Sequence, residues 1–296
     1  ILGLYAASAF RLIPSMNKIT NSLQSVRYAF ASIQVLYDDL KDQKTKFNKK
    51  NIKIKSINEI NKWDSIYFQN VSYKYPNATK NVVKNINIQI KRGSVVGIIG
   101  ETGSGKSTIV NLISLLLKPS TGEIKIDDFL INSNDFKNQN VKDTWQSRIG
   151  YVPQQVYLND DSIANNIAFG NSEENISLKR VNEVLRQCQL DDLIKDLPNG
   201  INTKVGERGI RVSGGQLQRI GIARALYHDP DVLILDEATS ALDTETEKKF
   251  IESLYSIRMN KTLLIISHKL SILDDCDVVF KLKNQSLYKV DLKNEE

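Results

Sequence analysis

The sequence predicts an α/β domain with a mainly parallel core sheet, an antiparallel β subdomain and a helical subdomain, preceded by one long N-terminal helix. Three observations predict this. Residues 95–99 (Val-Val-Gly-Ile-Ile), 232–235 (Val-Leu-Ile-Leu) and 262–266 (Thr-Leu-Leu-Ile-Ile) are short, almost wholly apolar runs, the texture of strands buried on both faces. Helical patterns lie between them, and strands alternating with helices build a parallel sheet. Residues 65–75 and 83–90 alternate instead, as strands of a half-buried antiparallel sheet do.

The chain begins with a helical pattern over residues 2–40. Leu2, Tyr5, Ala9, Leu12, Met16, Ile19, Leu23, Val26, Phe30, Ile33, Leu36 and Leu40 recur at steps of three and four. Such a helix is about 57 Å long, and Pro14 is expected to kink or break it. Its first ten residues carry no charge, and Arg11, Lys18 and Arg27 are the only charges before Asp38. That gradient suits a helix leaving a bilayer, and an amphipathic helix packed on the domain or on a partner would show the same steps. No run of about 20 uncharged apolar residues occurs, so no segment is expected to cross a membrane unaided. The chain starts with Ile and shows no signal peptide, so its numbering is expected to begin inside a longer protein.

Residues 41–62 have no sustained period and read as a linker. Eight Lys stand there against Asp42 and Glu59. This excess equals the whole net charge of +6, so the remainder is near neutral. A nucleic-acid patch usually shows a basic face on a folded element, whereas this run is mixed with Asn and Gln. A solvated linker is the plain reading, and contact with an anionic membrane surface is another. Cys188 and Cys276 have neither disulfide nor metal spacing, as expected in a reducing cytosol.

From Trp63 onward the strands and helices follow in order. After the antiparallel pair, residues 107–117 read as a helix, 122–128 as part of a hairpin and 149–153 as a short strand. Residues 162–169, 173–187, 213–227 and 243–257 read as helices. The run 232–235 is expected directly beside the run 95–99.

Between the first apolar strand and its helix stand Gly100, Glu101, Thr102, Gly103, Ser104, Gly105, Lys106, Ser107 and Thr108. They match the phosphate-loop pattern G-x-x-x-x-G-K-[ST] in its proper strand-to-helix setting. Glycines let the backbone curl so that successive N–H groups face an anion, and the helix N-terminus adds partial positive charge. Lys106 is expected on the β- and γ-phosphates and the Ser107 hydroxyl on Mg²⁺. Asp236, at the end of the second apolar run, is where P-loop enzymes hold Mg²⁺ through a Walker B carboxylate. Glu237 beside it is placed to polarise an attacking water.

Val212-Ser213-Gly214-Gly215-Gln216 then opens a helix. With it the chain, from about Trp63 onward, resembles the ATP-binding cassette (ABC) family, whose signature is Leu-Ser-Gly-Gly-Gln. Residues 206–219 and 235–243, the latter joining Walker B to the D-loop, are close matches. Val212 replaces the usual Leu, an apolar exchange that leaves the Ser213 hydroxyl and the Gly214 and Gly215 amides in place. The resemblance implies an ABC cassette of the P-loop NTPase fold over residues 63–296. It implies Tyr75 as the aromatic that stacks on adenine, although Tyr73 faces the same way in strand alternation. It implies Gln154 as the Q-loop residue reaching Mg²⁺ and water, and His268 as the switch histidine at the γ-phosphate. The ligands implied are ATP and Mg²⁺. The implied partner is a second cassette, closing head to tail so that Ser213, Gly214, Gly215 and Gln216 of one meet the phosphate loop of the other, in a homodimer with two equivalent sites.

The long helix ahead of the cassette resembles the end of an exporter's last transmembrane helix, making residues 1–40 its cytosolic extension and a transmembrane domain of the same chain a further partner. Residues 200–209 resemble the exporter x-loop, with Lys204 where Glu is common. Residues 10–17 are similar, more weakly, to lipid-linked oligosaccharide flippases. The reading is a transport ATPase on the cytoplasmic face of the cell membrane that exports or flips its substrate, with no nucleic-acid partner. A soluble ABC-type ATPase is the alternative. It would carry a large insertion between phosphate loop and signature, or tandem cassettes, and neither is present. A cassette that only clamps ATP would lack Glu237 or His268, and a P-loop kinase has no use for the signature.

Overall fold

The computed structural model describes residues 2–47, 63–130, 142–206, 210, 212–238 and 261–290. The helix expected over residues 243–257, most of the linker and parts of the x-loop and D-loop lie outside the described residues. The chain divides into two units, Ile1–Ile54 and Lys55–Glu296.

The first unit is α1 (Leu2–Phe47), which runs past the expected end at Leu40 and contains Pro14 without breaking. Proline forfeits one backbone bond and crowds the preceding turn, and the turns on either side carry the helix through. Exposed apolar side chains include the neighbours Leu12 and Ile13 and the triplet Val35, Leu36 and Tyr37. Its apolar surface is therefore not confined to one stripe. Thr20 and Ser25 donate back to the carbonyls of Met16 and Asn21, satisfying their hydroxyls without a partner from outside the helix. Among the described residues no helix is long and apolar enough to cross a membrane.

The second unit holds β1 (Ser65–Tyr73), β2 (Val83–Lys91), β3 (Val95–Gly100), α2 (Lys106–Ile113), β4 (Thr121–Ile126) and β5 (Phe129–Leu130). After a helical turn at 142–146 come β6 (Ile149–Val152), β7 (Asp161–Ser162), α3 (Ile163–Ile167), α4 (Leu178–Gln187), α5 (Asp191–Asp196) and β8 (Lys204–Val205). The unit closes with α6 (Gly214–Tyr227), β9 (Val232–Asp236), β10 (Thr262–Ile266), β11 (Val278–Lys283) and β12 (Ser286–Val290).

Its main sheet has the order β12-β11-β3-β10-β9-β6. All neighbours pair in parallel except β12, which returns antiparallel on β11. The antiparallel sheet has the order β2-β1-β4-β5. One expectation is corrected here. β9 does not lie beside β3, because β10 pairs with both and stands between them. Equally apolar runs give no information about which neighbours which.

Alternation along the three central strands supplies two cores at once. Val95, Ile99, Leu233, Leu235, Leu263 and Ile265 face α3, α4 and α6, whereas Val96, Ile98, Val232, Ile234, Leu264 and Ile266 face α2 and the antiparallel sheet. Burial on both faces is why these runs show no polar alternation. Each such side chain contributes roughly 1.5–3 kcal/mol relative to exposure. Trp63 is fully buried in the second core, edge-on to Trp145 with ring centroids 5.2 Å apart.

Several boundaries shift for local reasons. Leu115 takes a left-handed conformation with φ 54° and ends α2 early. Residues 173–187 are not one helix, because Ser177 caps α4 by accepting from the Arg180 N–H at 3.3 Å. The hairpin β11–β12 was not expected. Its two turn residues, Asn284 and Gln285, have φ of 51° and 68°, the pattern of a two-residue type I′ turn made without glycine. Neither cysteine forms a disulfide. Burial pushes the Cys188 thiol up to about 12, against an opposing pull from Arg219, so it packs as an apolar side chain.

Candidate functional site

β3 ends in Gly100 and α2 starts at Lys106. A side chain on Gly100 would put Cβ 2.9 Å from the Leu282 carbonyl oxygen, so the neighbouring strand enforces glycine there. Gly105 has φ 109° just before the helix, a conformation that disfavours any Cβ. Lys106 is buried, and its Nζ donates to the Gly100 and Glu101 carbonyls at 2.7 and 3.1 Å. Glu101, Thr102, Gly103 and Ser107 are exposed around it. The Ser104 Oγ is buried with no hydrogen-bond partner among the described residues. α2 has no acidic residue in its first turn, so no side chain of the helix itself offsets the positive field of its N-terminus.

Asp236 ends β9 and is buried. Burial raises its pKa above the ordinary carboxylate range, and the neighbouring Glu237 charge adds to the rise. A hydrogen bond from Tyr151 and the Lys106 charge pull it down. The Tyr151 hydroxyl donates to Asp236 Oδ2 at 3.1 Å, and its own pKa is raised by burial and by that carboxylate.

Glu237 follows with φ 50°, a left-handed conformation that costs a non-glycine residue about 1–2 kcal/mol. Its N–H donates to the Ile266 carbonyl at 3.0 Å. Its Oε2 accepts from Gln154 Nε2 at 2.7 Å and lies 4.0 Å from His268 Nδ1. Its Oε1 lies 3.8 Å from Lys106 Nζ. Gln154, Lys106 and His268 each follow the carboxyl end of a different strand, β6, β3 and β10 respectively. Four strand ends of the parallel sheet therefore converge on one carboxylate, in the crevice where open α/β sheets bind ligands.

Tyr73 is buried in the second core, and Tyr75 is 39% exposed. The two rings meet edge to face at 5.0 Å, and the Tyr75 hydroxyl is 3.3 Å from Thr108 Oγ1. Burial thus separates two residues that alternation left equivalent, since only Tyr75 has a ring face to offer. Tyr75→Ala is expected to weaken nucleotide binding by roughly 5- to 150-fold, the value of about 1–3 kcal/mol of base stacking. Tyr73→Ala is expected to leave affinity and lower stability by about 3–5 kcal/mol. Titration with a fluorescent nucleotide and thermal melts of both variants check this. Unchanged affinity in Tyr75→Ala would transfer the role elsewhere.

Ser213 caps α6. Its Oγ accepts from the Gln216 N–H at 3.3 Å, and the Gln216 side-chain oxygen accepts from the Ser213 N–H at 2.8 Å. These bonds stay within the cap. α6 packs on α3, α4 and β6, so Ser213, Gly214, Gly215 and Gln216 belong to the helical part. The structure brings together Gln154, Asp236, Glu237, His268 and the phosphate loop, with Tyr75 bonded to Thr108 at its edge. Sequence reasoning missed Tyr151, since only strand pairing brings it to Asp236. It also missed the turn at Asn284 and Gln285, which with Asn81 and Val82 walls a cavity of about 660 Å³ beside the phosphate loop.

A profile of the ABC transporter family matches residues 83–240. The chain belongs to the ABC transporter family. Within that family it is 38% identical over 221 residues to the ATP-dependent lipid A-core flippase of Cupriavidus pinatubonensis, covering 73% of this chain and 36% of the relative. The flippase of that name from Escherichia coli K12 is 34% identical over 273 residues, covering 92% of this chain and 45% of its own. Among solved structures, a bacterial Atm1-family ABC exporter with ATP bound superposes with a TM-score of 0.68 at 34% identity, over 76% of this chain and 38% of that one. The chain thus spans about two fifths of these ABC transporters. Family membership carries nucleotide binding with it, in the ABC cassette fold described above.

Among the described residues no group of three or more His, Cys, Asp or Glu side chains forms a metal site. Mg²⁺ asks for less, because one or two protein ligands suffice when phosphates and waters complete its octahedron. A buried carboxylate at a strand end beside the phosphate loop fits that requirement.

Proposed function

We propose that this chain is the ATP-binding and ATP-hydrolysing cassette of an exporter half-transporter, working on the cytoplasmic side of a membrane. The observation that carries the reading is the convergence on Glu237. A carboxylate held by Gln154, flanked by Lys106 and His268, and set one residue after a buried Asp is arranged to take a proton from water at a phosphate.

Each residue then has a task. The phosphate-loop amides and Lys106 bind the β- and γ-phosphates, Lys106 exchanging two loop carbonyls for phosphate oxygens. The Tyr75 ring stacks on adenine. Ser107, Asp236 and Gln154 would hold Mg²⁺, which supplies charge neutralisation on the phosphates when bound. Glu237 orients the attacking water and accepts its proton, and His268 faces the γ-phosphate. Ser213, Gly214, Gly215 and Gln216, at a helix N-terminus suited to anions, complete the site of a second copy, so two cassettes close on two ATP molecules. Loss of the γ-phosphate removes the contacts joining them.

The N-terminal helix, apolar over much of its surface, links this motion to membrane segments of the same polypeptide. The cargo class we infer is an amphipathic lipid, since relatives are named lipid A-core flippases and residues 10–17 resemble lipid-linked oligosaccharide flippases. The full-length polypeptide in vesicles carrying a fluorescent glycolipid tests this. ATP is expected to drive the label from one leaflet to the other, read by quenching of the outer leaflet. Steady ATP hydrolysis with no ATP-dependent transfer of any lipid tried would sink the transport reading and leave an ATPase.

A further inference from the structure

We infer that Tyr151 is a positioning residue that orients the Asp236 carboxylate for its metal ion. The inference rests on the reading of Asp236 as the Mg²⁺ carboxylate. Tyr151 lies on β6, and its backbone partner on β9 is Ile234. Asp236 stands two residues further along β9, on the same face as Ile234, a step of about 6.6 Å. A phenol spans that step, and a Ser or Asn side chain would not.

The hydroxyl donates to Asp236 Oδ2 at 3.1 Å, inside hydrogen-bonding range. A carboxylate otherwise turns broadly about its terminal torsion. Tying one oxygen to a phenol anchored on the neighbouring strand fixes that torsion and presents the second oxygen at the strand end. Partners of metal ligands commonly do this, and removing them costs 10- to 100-fold in affinity or activity. A purely structural role accounts poorly for the contact. Tyr151 is 43% exposed, so its ring is not a core element, and the hydroxyl is what reaches the site.

The test compares Tyr151→Phe with the parent 296-residue chain, using Mn²⁺ as the probe and electron paramagnetic resonance as the readout, with a non-hydrolysable ATP analogue bound. Mn²⁺ affinity is expected to fall about tenfold. Affinity for the analogue in excess chelator, and the thermal melt, are expected to stay unchanged, which a folding defect would not allow. Unchanged or tighter Mn²⁺ binding in Tyr151→Phe overturns the inference. Asp236→Asn, run alongside, separates the two levels. If it loses Mn²⁺ while Tyr151→Phe does not, Tyr151 alone is wrong. If it binds Mn²⁺ like the parent, the reading of Asp236 has failed and Tyr151 falls with it.

Discussion

The Glu237→Gln chain is expected to bind ATP as tightly as the parent and to turn it over about 10²- to 10⁴-fold more slowly, the usual contribution of a positioned general base. The geometry makes this a clean substitution. Gln keeps the shape, and its amide oxygen can still accept from Gln154, which now donates to Glu237 at 2.7 Å. What disappears is the capacity to take a proton. A negative charge beside buried Asp236 also disappears, so binding of the polyanionic nucleotide is not expected to suffer. With hydrolysis blocked, ATP is expected to hold two chains together. Phosphate release and sedimentation with and without ATP check both halves. Normal turnover in this variant would remove Glu237 as the base.

Lys106→Met is expected to lose about 100-fold or more in ATP affinity. Two charge-assisted hydrogen bonds to phosphate oxygens are at stake, each typically about 1.5–3 kcal/mol. Met preserves much of the buried stem, so the fold is expected to persist. Nζ now donates to the carbonyls of Gly100, at the end of β3, and of exposed Glu101, at 2.7 and 3.1 Å. Nucleotide titration and a thermal melt of the same sample decide the matter. Retained ATP affinity in a folded Lys106→Met chain would overturn the assignment of the phosphate loop.

The two substitutions act on opposite sides of the same contact, since Lys106 Nζ and Glu237 Oε1 stand 3.8 Å apart. Their effects are therefore not expected to add. A double variant is expected to look like Lys106→Met alone, because an ATP that does not bind needs no base.

Much of this site was legible in the sequence because its backbone demands are chemical. Gly100 and Gly105 hold fixed places in a pattern that a sequence displays, and Asp236 and Glu237 close a run too apolar to be anything but a buried strand. The wholly apolar runs also announced strands covered on both faces. Strand order was not legible. Residues 232–235 and 262–266 are interchangeable as patterns, and only the folded pairing shows which lies between. Tyr73 and Tyr75 share a direction in an ideal strand, and they part only because β1 ends at Tyr73 ahead of Pro76, leaving Tyr75 half in solvent. Tyr151 carried no local signal, since its partner lies 85 residues away. The hairpin β11–β12 escaped because Asn284 and Gln285 make its turn without the glycine that marks such turns in a sequence.

The place of β10 in the sheet sets a width. Neighbouring strands lie about 4.8 Å apart, so the ends of β3 and β9 are separated by two such intervals, roughly 9.6 Å. A sheet offers only whole multiples of that interval. One interval would set the two strand ends side by side, with no strand between them to carry His268. Three would leave a phosphate out of reach of one side. With two, Lys106 Nζ and Glu237 Oε1 reach toward each other from the two sides and stand 3.8 Å apart. His268 leaves the strand that acts as the spacer, and its Nδ1 lies 4.0 Å from Glu237 Oε2.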